Sequence, residues 1–373
     1  MLITDAWDPQ VNGVVTTMKR VIAETKAMGH EWEIVSPADG FPTVPLPTYS
    51  EIKLALFARR KIEDRFHEFE PDAVHIVTEG TLGMAGRSMC LRLKHPFSTA
   101  YHTRFPEYLS ARLPVPVSWG YRFVRWFHKY SGRVMVPTPS MVDELSRWKF
   151  RNTVAWSRGV DIDLFNPAKR IEESQPGDPF AGLPRPIFLN VGRVAVEKNI
   201  ETFLKLDLPG SKVVVGDGPQ LEELKRKYPE VTFTGARFGE DLATCFACAD
   251  VFVFPSLTDT FGLVVLEAMA SGTPVAAFDA TGPRDVIPGS GAGEIAKDLD
   301  SLAEAAIDCL KLDRARCREY AECYSWRACA EAFIENLQPL PPPERKRFWQ
   351  RIRLGRRRAS HTPAQLEAPE EKA

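Results

Sequence analysis

At 373 residues the chain exceeds what one hydrophobic core usually organises, so two domains are expected. Hydrophobic residues make up 44% and charged residues 26%, which excludes a disordered or fibrous protein. With 48 basic and 49 acidic side chains the formal net charge is -1, too balanced for a chain that binds nucleic acid over its whole surface.

Apolar, strand-like runs fall at 2–4, 32–36, 73–77, 97–101, 134–136 and 153–156, with helix-like runs between them such as 14–28 and 52–68. In the latter, Ile52, Leu56, Ile62 and Phe66 recur at helical spacing, which predicts one continuous helix. Strands that are apolar throughout imply parallel sheet covered by helices on both faces. The rhythm stops in Glu172, Glu173, Ser174, Gln175, Pro176, Gly177, Asp178 and Pro179, which is linker composition. It restarts with strands at 186–192, 212–216, 231–234, 251–255 and 274–277, followed by helices at 299–312 and 325–337. The organisation read from this is a domain at 1–168, a linker at 169–184, a second domain at 185–338 and a basic segment at 339–373. Both domains are α/β and Rossmann-like. Such doubly wound sheets take ligands beyond the carboxyl ends of their strands, which places the site in the cleft between the domains.

Seven cysteines at irregular spacing suggest reduced thiols rather than a disulfide framework. Cys245 and Cys248 form a C-x-x-C with no second ligand pair at zinc-site spacing, and on a helix at 241–250 they share one packing face.

Among the motifs that carry chemistry, the strongest is Asp259-Thr260-Phe261-Gly262-Leu263-Val264-Val265-Leu266-Glu267. Two carboxylates eight residues apart flank a glycine turn that opens a helix, and a helix start points N–H groups and a positive dipole end at its ligand. A diphosphate fits there. Asp259 can bond sugar hydroxyls, and Glu267, two turns in, can accept from vicinal ribose hydroxyls. Upstream, Gly192 allows close backbone approach at a strand end, where Arg193 and Lys198 offer two cations to a departing diphosphate. In the first half, Gly13 opens the first helix, and His102 follows the fourth strand in Tyr101-His102-Thr103-Arg104-Phe105-Pro106-Glu107-Tyr108. Taken singly, each of these residues also fits an ordinary structural role.

Together, the Asn12-Gly13 loop, the His102–Tyr108 segment, Gly192-Arg193 with Glu197-Lys198, and Asp259 to Glu267 continued by Ala268-Met269-Ala270-Ser271-Gly272-Thr273-Pro274-Val275 resemble glycosyltransferase family four, over about residues 1–337. The resemblance implies the GT-B fold, two Rossmann-like domains facing each other across a cleft. It also implies retention of anomeric configuration. The second domain would hold a nucleotide-sugar donor, with Arg193 and Lys198 on the diphosphate, Glu267 on the ribose and Asp259 on the sugar. Thr260, Phe261, Gly262, Leu263 and Val264 would complete the donor contacts. His102 would line the far side of the sugar, and Gly13 and Gly192 would lie beside the phosphates. Arg237, in Gly235-Ala236-Arg237-Phe238, would frame the nucleobase near Gly216-Asp217-Gly218-Pro219. No cofactor and no metal are expected, the nucleotide sugar being a substrate. Asp161-Ile162-Asp163, formally a metal-binding D-x-D, reads instead as part of the segment that closes the first domain.

Most members carry Glu where this chain has Asp259. The Asp-Thr-Phe-Gly-Leu version resembles the subgroup that builds glycolipids, including sulfoquinovosyl, glucosyl and glucuronosyl diacylglycerol and mannosyl lipids, as does Thr43-Val44-Pro45-Leu46-Pro47-Thr48-Tyr49 on the acceptor side. The expected activity is transfer of a hexose, a UDP-sugar being favoured as donor, to a lipid such as diacylglycerol. The alternative is a GDP-mannose-dependent mannosyltransferase acting on a lipid or glycan. Rival readings are a noncatalytic sugar-nucleotide-binding or membrane-scaffold protein and a nucleotide-sugar epimerase.

A lipid acceptor needs a bilayer surface as partner. No apolar stretch is long enough to span a bilayer, and the opening residues fit no signal or transit peptide, although so short a lead into Asp5 leaves room for an upstream start. Two segments mix aromatics with cations: 119–130 and the tail. Residues 339–373 carry 9 basic and 4 acidic side chains, against 39 and 45 in the rest. The tail is therefore read as disordered or lying on an anionic membrane, and the protein as cytoplasmic and peripheral at the inner face. Nucleic acid is not an expected partner.

Overall fold

The structure is a computed structural model that describes residues 1–10, 12–46, 49–112 and 115–359. The first half contains strands β1 (Leu2–Ile3), β2 (Ile34–Val35), β3 (Thr43–Leu46), β4 (Tyr49–Ala55), β5 (Val74–Ile76), β6 (Phe97–Ala100), β7 (Arg133–Val136) and β8 (Thr153–Ala155). Its helices are α1 (Gly13–Ala27), α2 (Ala58–Phe69), α3 (Thr81–Leu93), α4 (Phe105–Arg112), α5 (Val117–His128) and α6 (Pro139–Arg147). Six strands form a parallel sheet in the order β2-β1-β5-β6-β7-β8. Leu2, Ile3, Val74, Ile76 and Val134 are fully buried, as sheet covered on both faces requires.

The expected helix over 52–68 is corrected. Its first part is β4, paired antiparallel with β3, and the helix begins only at Ala58. Ile52 and Leu56 matched a helical period by coincidence, because a strand followed by a short turn also returns apolar residues every few positions. Pro47 and Thr48 of the acceptor-side segment lie outside the described residues, as does Val11 before the first helix.

The second half repeats the plan with β9 (Ile187–Val191), β10 (Ser211–Val215), β11 (Thr232–Gly235), β12 (Val251–Phe254), β13 (Val275–Phe278) and β14 (Gly293–Ala296). All are parallel, in the order β11-β10-β9-β12-β13-β14. Helices α7 (Ile200–Leu204), α8 (Leu221–Lys227), α9 (Gly239–Cys248), α10 (Leu263–Ala270), α11 (Pro283–Val286), α12 (Leu299–Cys309) and α13 (Arg314–Ala321) accompany them. The order reverses between β9 and β12, so the loops leaving these two strands flank the point where such a sheet opens to ligand. Two Rossmann-like sheets thus face each other, the GT-B arrangement.

The last two helices cross back. α14 (Trp326–Asn336) packs on the first sheet, where Trp326, Cys329 and Phe333 join Leu2, Met18 and Trp156 in one cluster. Trp156 Nε1 donates to the Cys329 carbonyl at 2.9 Å. α15 (Pro342–Ala359) follows, and Trp349, only 5% exposed, joins Phe66 and Ile62 in another core of the first half, with Phe348 and Ile352 packed against it. Residues 342–359 are therefore helical, which corrects the expectation of disorder there. Phe348, Trp349 and Ile352 of the tail are turned inward; residues 360–373 lie outside the described residues. Arg345 pairs with Asp72 at 2.7 Å, and Arg353 pairs with Glu70. Among the described residues no helix is long and apolar enough to cross a membrane.

Candidate active site

β9 ends at Val191, and at Gly192, which follows it with φ 152°, a side chain would meet open space. A Cβ on Gly216 would meet the Gly192 carbonyl oxygen at 1.8 Å and one on Gly218 the Val194 carbonyl at 2.4 Å, so only glycines let the two loops close together. Arg193 leaves the same strand end half-buried. Lys198 follows in a single 3-10 turn, and its Nζ lies 2.5 Å from Asp259 Oδ1. The second carboxylate oxygen, Asp259 Oδ2, is buried with no partner among the described residues.

From β12 the chain runs through Asp259 and Thr260 to Gly262, at φ 80° the N-cap of α10. A glycine makes this turn because a Cβ would need the left-handed region and would meet the Phe254 ring at 3.0 Å. It also supplies no side chain to cap the helix, so the Leu263 and Val264 N–H groups face the cleft uncapped, while Val265 N donates to the Gly262 carbonyl at 2.9 Å. Phe261 is buried in the core and anchors the turn. Glu267 lies one helical turn further in. Burial pushes its carboxyl up to about 7, and no cation pairs with it among the described residues.

Three helix starts of the first half, those of α1, α3 and α6, are occupied by side chains. The Asn12 side chain accepts from Val14 N and Val15 N. Asp5, buried at the end of β1, accepts from Leu82 N at 2.8 Å and Gly83 N at 3.2 Å, and from the Thr78 and Thr81 hydroxyls, so it fills the start of α3. Burial raises its carboxyl above the ordinary range against the pull of these bonds. Thr138 caps α6. An anion meeting the cleft therefore finds the starts of α1, α3 and α6 filled and that of α10 open. Gly13 lies beside that start: a Cβ there would stand 3.7 Å from Leu263 Cδ1.

His102 is brought to the same place. Thr260 Oγ1 donates to its carbonyl at 2.7 Å, joining the two halves directly. Its ring packs edge-on near Trp156, and burial, then the nearby Arg158, holds its pKa well below the usual 6.5. Two more contacts cross the cleft: Arg104 to the Thr281 hydroxyl at 2.9 Å, and the Ser140 hydroxyl to Asp285 Oδ1 at 2.9 Å. Arg104 also pairs with Glu144 and lies 3.6 Å from Glu107.

Of the residues singled out in the sequence, Lys198 with Asp259, Thr260 with His102, and Gly13 with Leu263 come together. Arg237 does not join them; it is exposed at the turn before α9, and among the described residues it makes no hydrogen bond to the cleft loops. Asp161 pairs with Arg20 and accepts from Leu164 N, so it serves the turn it sits in. Cys245 and Cys248 are buried, and burial raises both thiols, Cys245 to about 11. Sequence reasoning missed the self-filled starts of α1 and α3 and the buried Arg158. An Asp just past the first strand was the available signal for the second of these.

Comparison with known proteins supplies the family. The profile described as "Glycosyltransferase Family 4" matches residues 11–164, and that described as "Glycosyl transferases group 1" matches residues 185–312. A GDP-mannose-dependent alpha-mannosyltransferase of Mycobacterium tuberculosis is 32% identical over 311 residues, covering 77% of this chain and 80% of that protein. An alpha-monoglucosyldiacylglycerol synthase of Streptococcus pneumoniae is 27% identical over 346 residues, covering 83% and 77%. Anabaena HepE, solved in complex with UDP-glucose, shares the fold at a TM-score of 0.67 and 17% identity, over 90% of this chain and 98% of that one. With these matches on both halves and the open helix start in the cleft, the chain belongs to glycosyltransferase family 4 and is a glycosyl-transferring enzyme of the GT-B fold.

Proposed function

We propose that the protein moves a hexose from a nucleotide sugar to a lipid acceptor such as diacylglycerol, with retention of configuration and without a metal. The observation that carries the donor half is the uncapped start of α10 beside Lys198 and Asp259, whereas side chains fill the starts of α1, α3 and α6 in the first half. There the diphosphate accepts from the helix N–H groups and from Arg193 and Lys198. Glu267 takes the ribose hydroxyls, and Asp259 and His102 take the sugar. Gly13, Gly192, Thr260 and Phe261 shape the walls, and Arg237 frames the base.

No carboxylate is assigned as a covalent nucleophile. The acceptor hydroxyl attacks the anomeric carbon on the face the diphosphate leaves, the bond to the diphosphate oxygen breaks, and that oxygen takes the hydroxyl proton. Arg193, Lys198 and the α10 dipole stabilise the charge as it develops.

For the acceptor half, α5 supports a membrane surface. Gly120, Tyr121, Val124 and Phe127 face the core, which leaves Trp119 (68% exposed), Phe123, Trp126 and Tyr130 outward with Arg122 and Lys129. Aromatics among cations suit an anionic bilayer interface, where each cation contributes about 1 kcal/mol. Lys346, Arg347 and Arg351 on the exposed side of α15 add charge but no apolar anchor. The protein would then act at the cytoplasmic face.

A UDP-sugar is the donor of this reading. A second reading, GDP-mannose, is supported by the name of the mycobacterial relative. Labelled UDP-glucose, UDP-glucuronate and GDP-mannose, each incubated with the protein and diacylglycerol vesicles, separate the possibilities. Label passing into the organic phase is expected from one donor. An altered donor without transfer would mean an epimerase, and binding alone a noncatalytic protein.

A further inference from the structure

Arg158 stands in the cleft with no role in the chemistry so far. It is 4% exposed, its Nη1 donates to the Trp156 carbonyl at 2.6 Å, and its guanidinium lies over the Trp156 ring at 4.2 Å. Nη2 lies 3.3 Å from His102 Nδ1. Among the described residues no carboxylate pairs with it. Leaving a guanidinium buried without a counter-charge is costly, and a hydrophobic residue would fill the space more cheaply.

We propose that Arg158 is a positioning residue that holds His102 as the neutral Nε2–H tautomer, so that this N–H is presented to a hydroxyl of the transferred sugar. The inference rests on the sugar-facing role given to His102 above. A guanidinium only donates, so His102 Nδ1 must be the acceptor and keep its lone pair. The single ring proton then belongs to Nε2. A second proton on Nδ1 would set N–H against N–H and one cation against another.

The surroundings agree from every side. Burial lowers the Arg158 pKa only to about 10, so it stays charged near neutrality. His75 and His128, the other titratable groups facing the ring, both oppose a charge on it. His75 is held by the Ser98 hydroxyl, and His128 by Thr99 with Glu79 beyond. The Trp156 ring closes the apolar side, and Thr260 fixes the His102 backbone. His102 Nε2 is buried and has no partner among the described residues. It is a committed donor without an acceptor, in a loop that touches the α10 turn.

The test uses the full chain labelled with 15N-histidine, read by long-range proton–nitrogen correlation. The seven histidines are sorted by the signal lost in His102→Gln. In the unaltered protein His102 is expected to show a protonated Nε2 and a bare Nδ1, unchanged from pH 6 to 8. In Arg158→Met the Nδ1–H form should appear and turnover should fall roughly tenfold or more with little change in donor KM. Arg158→Lys, which keeps a donor, should restore the tautomer and part of the turnover. An Nδ1–H form or a titrating His102 in the unaltered protein overturns the lock, and this needs no variant to fold. Full turnover in His102→Gln overturns the sugar-facing role instead, whatever the tautomer signal shows.

Discussion

Glu267 offers the most direct test at the residue scale, because stability and binding pull it in opposite directions. Its carboxyl, pushed up to about 7 from an ordinary 4.5, holds in the folded state a proton that the unfolded chain releases. This contribution to stability is therefore largest at acid pH and declines as pH rises through about 7. Glu267→Gln should gain about 1–2 kcal/mol over the parent at pH 8 and little at pH 4, measured by urea unfolding, the figure being reduced for partial exposure. Donor binding should show the reverse. If the ionised carboxylate accepts both ribose hydroxyls, donor KM falls between pH 6 and 8 in the parent and is flat and raised in Glu267→Gln. Arg193→Ala and Lys198→Ala are expected to lose about a hundredfold in kcat rather than in donor KM alone, since they act on charge that appears as the diphosphate leaves. Single-turnover kinetics at saturating donor would check it; unchanged turnover in both would remove them from this role. The meeting of Lys198 with Asp259 was legible in the sequence because both follow strand ends that a doubly wound sheet brings to one cleft. Arg158 was not, because its function depends on a histidine 56 positions away and on burial.

Among the elements, α10 and α5 show opposite uses of an unsatisfied surface. α10 stays uncapped because its entry turn demands Gly262. Gly262→Ala would force a side chain into left-handed backbone against Phe254, with an expected loss of about 1–3 kcal/mol and weaker donor binding, seen by thermal melts with and without UDP. On α5 the exposed face should be separable from the fold. Trp119→Glu with Phe123→Glu is expected to weaken binding to anionic vesicles several-fold while melting stays near the parent, since both side chains face outward. Equal vesicle binding would reject this face as the contact. The amphipathic spacing of α5 was readable from its residues, whereas the hairpin β3–β4 was not. Its second strand carries apolar residues at intervals that also suit a helix, and only pairing with β3 decides between them.

At the scale of the whole molecule, the two parallel sheets were legible because strands buried on both faces are written as short apolar runs. The return of α14 and α15 was not. Their inward faces are ordinary amphipathic patterns, and the surface they cover is set by residues some 170 to 290 positions earlier, such as Trp156 beneath Cys329 and Phe66 beneath Trp349. Trp349→Ala should cost about 3 kcal/mol by opening a cavity among Phe66, His67 and Phe348, measured by chemical unfolding.

This crossing also orders events in time. During synthesis the first sheet leaves the ribosome with Trp156, Phe66 and Ile62 uncovered, and the helices that cover them are made only after the second sheet. The first sheet is thus completed only after the second, which can assemble from contiguous chain. A chain paused after residue 184 should need a chaperone to stay in solution, and adding residues 325–359 as a separate segment should restore its protection from protease.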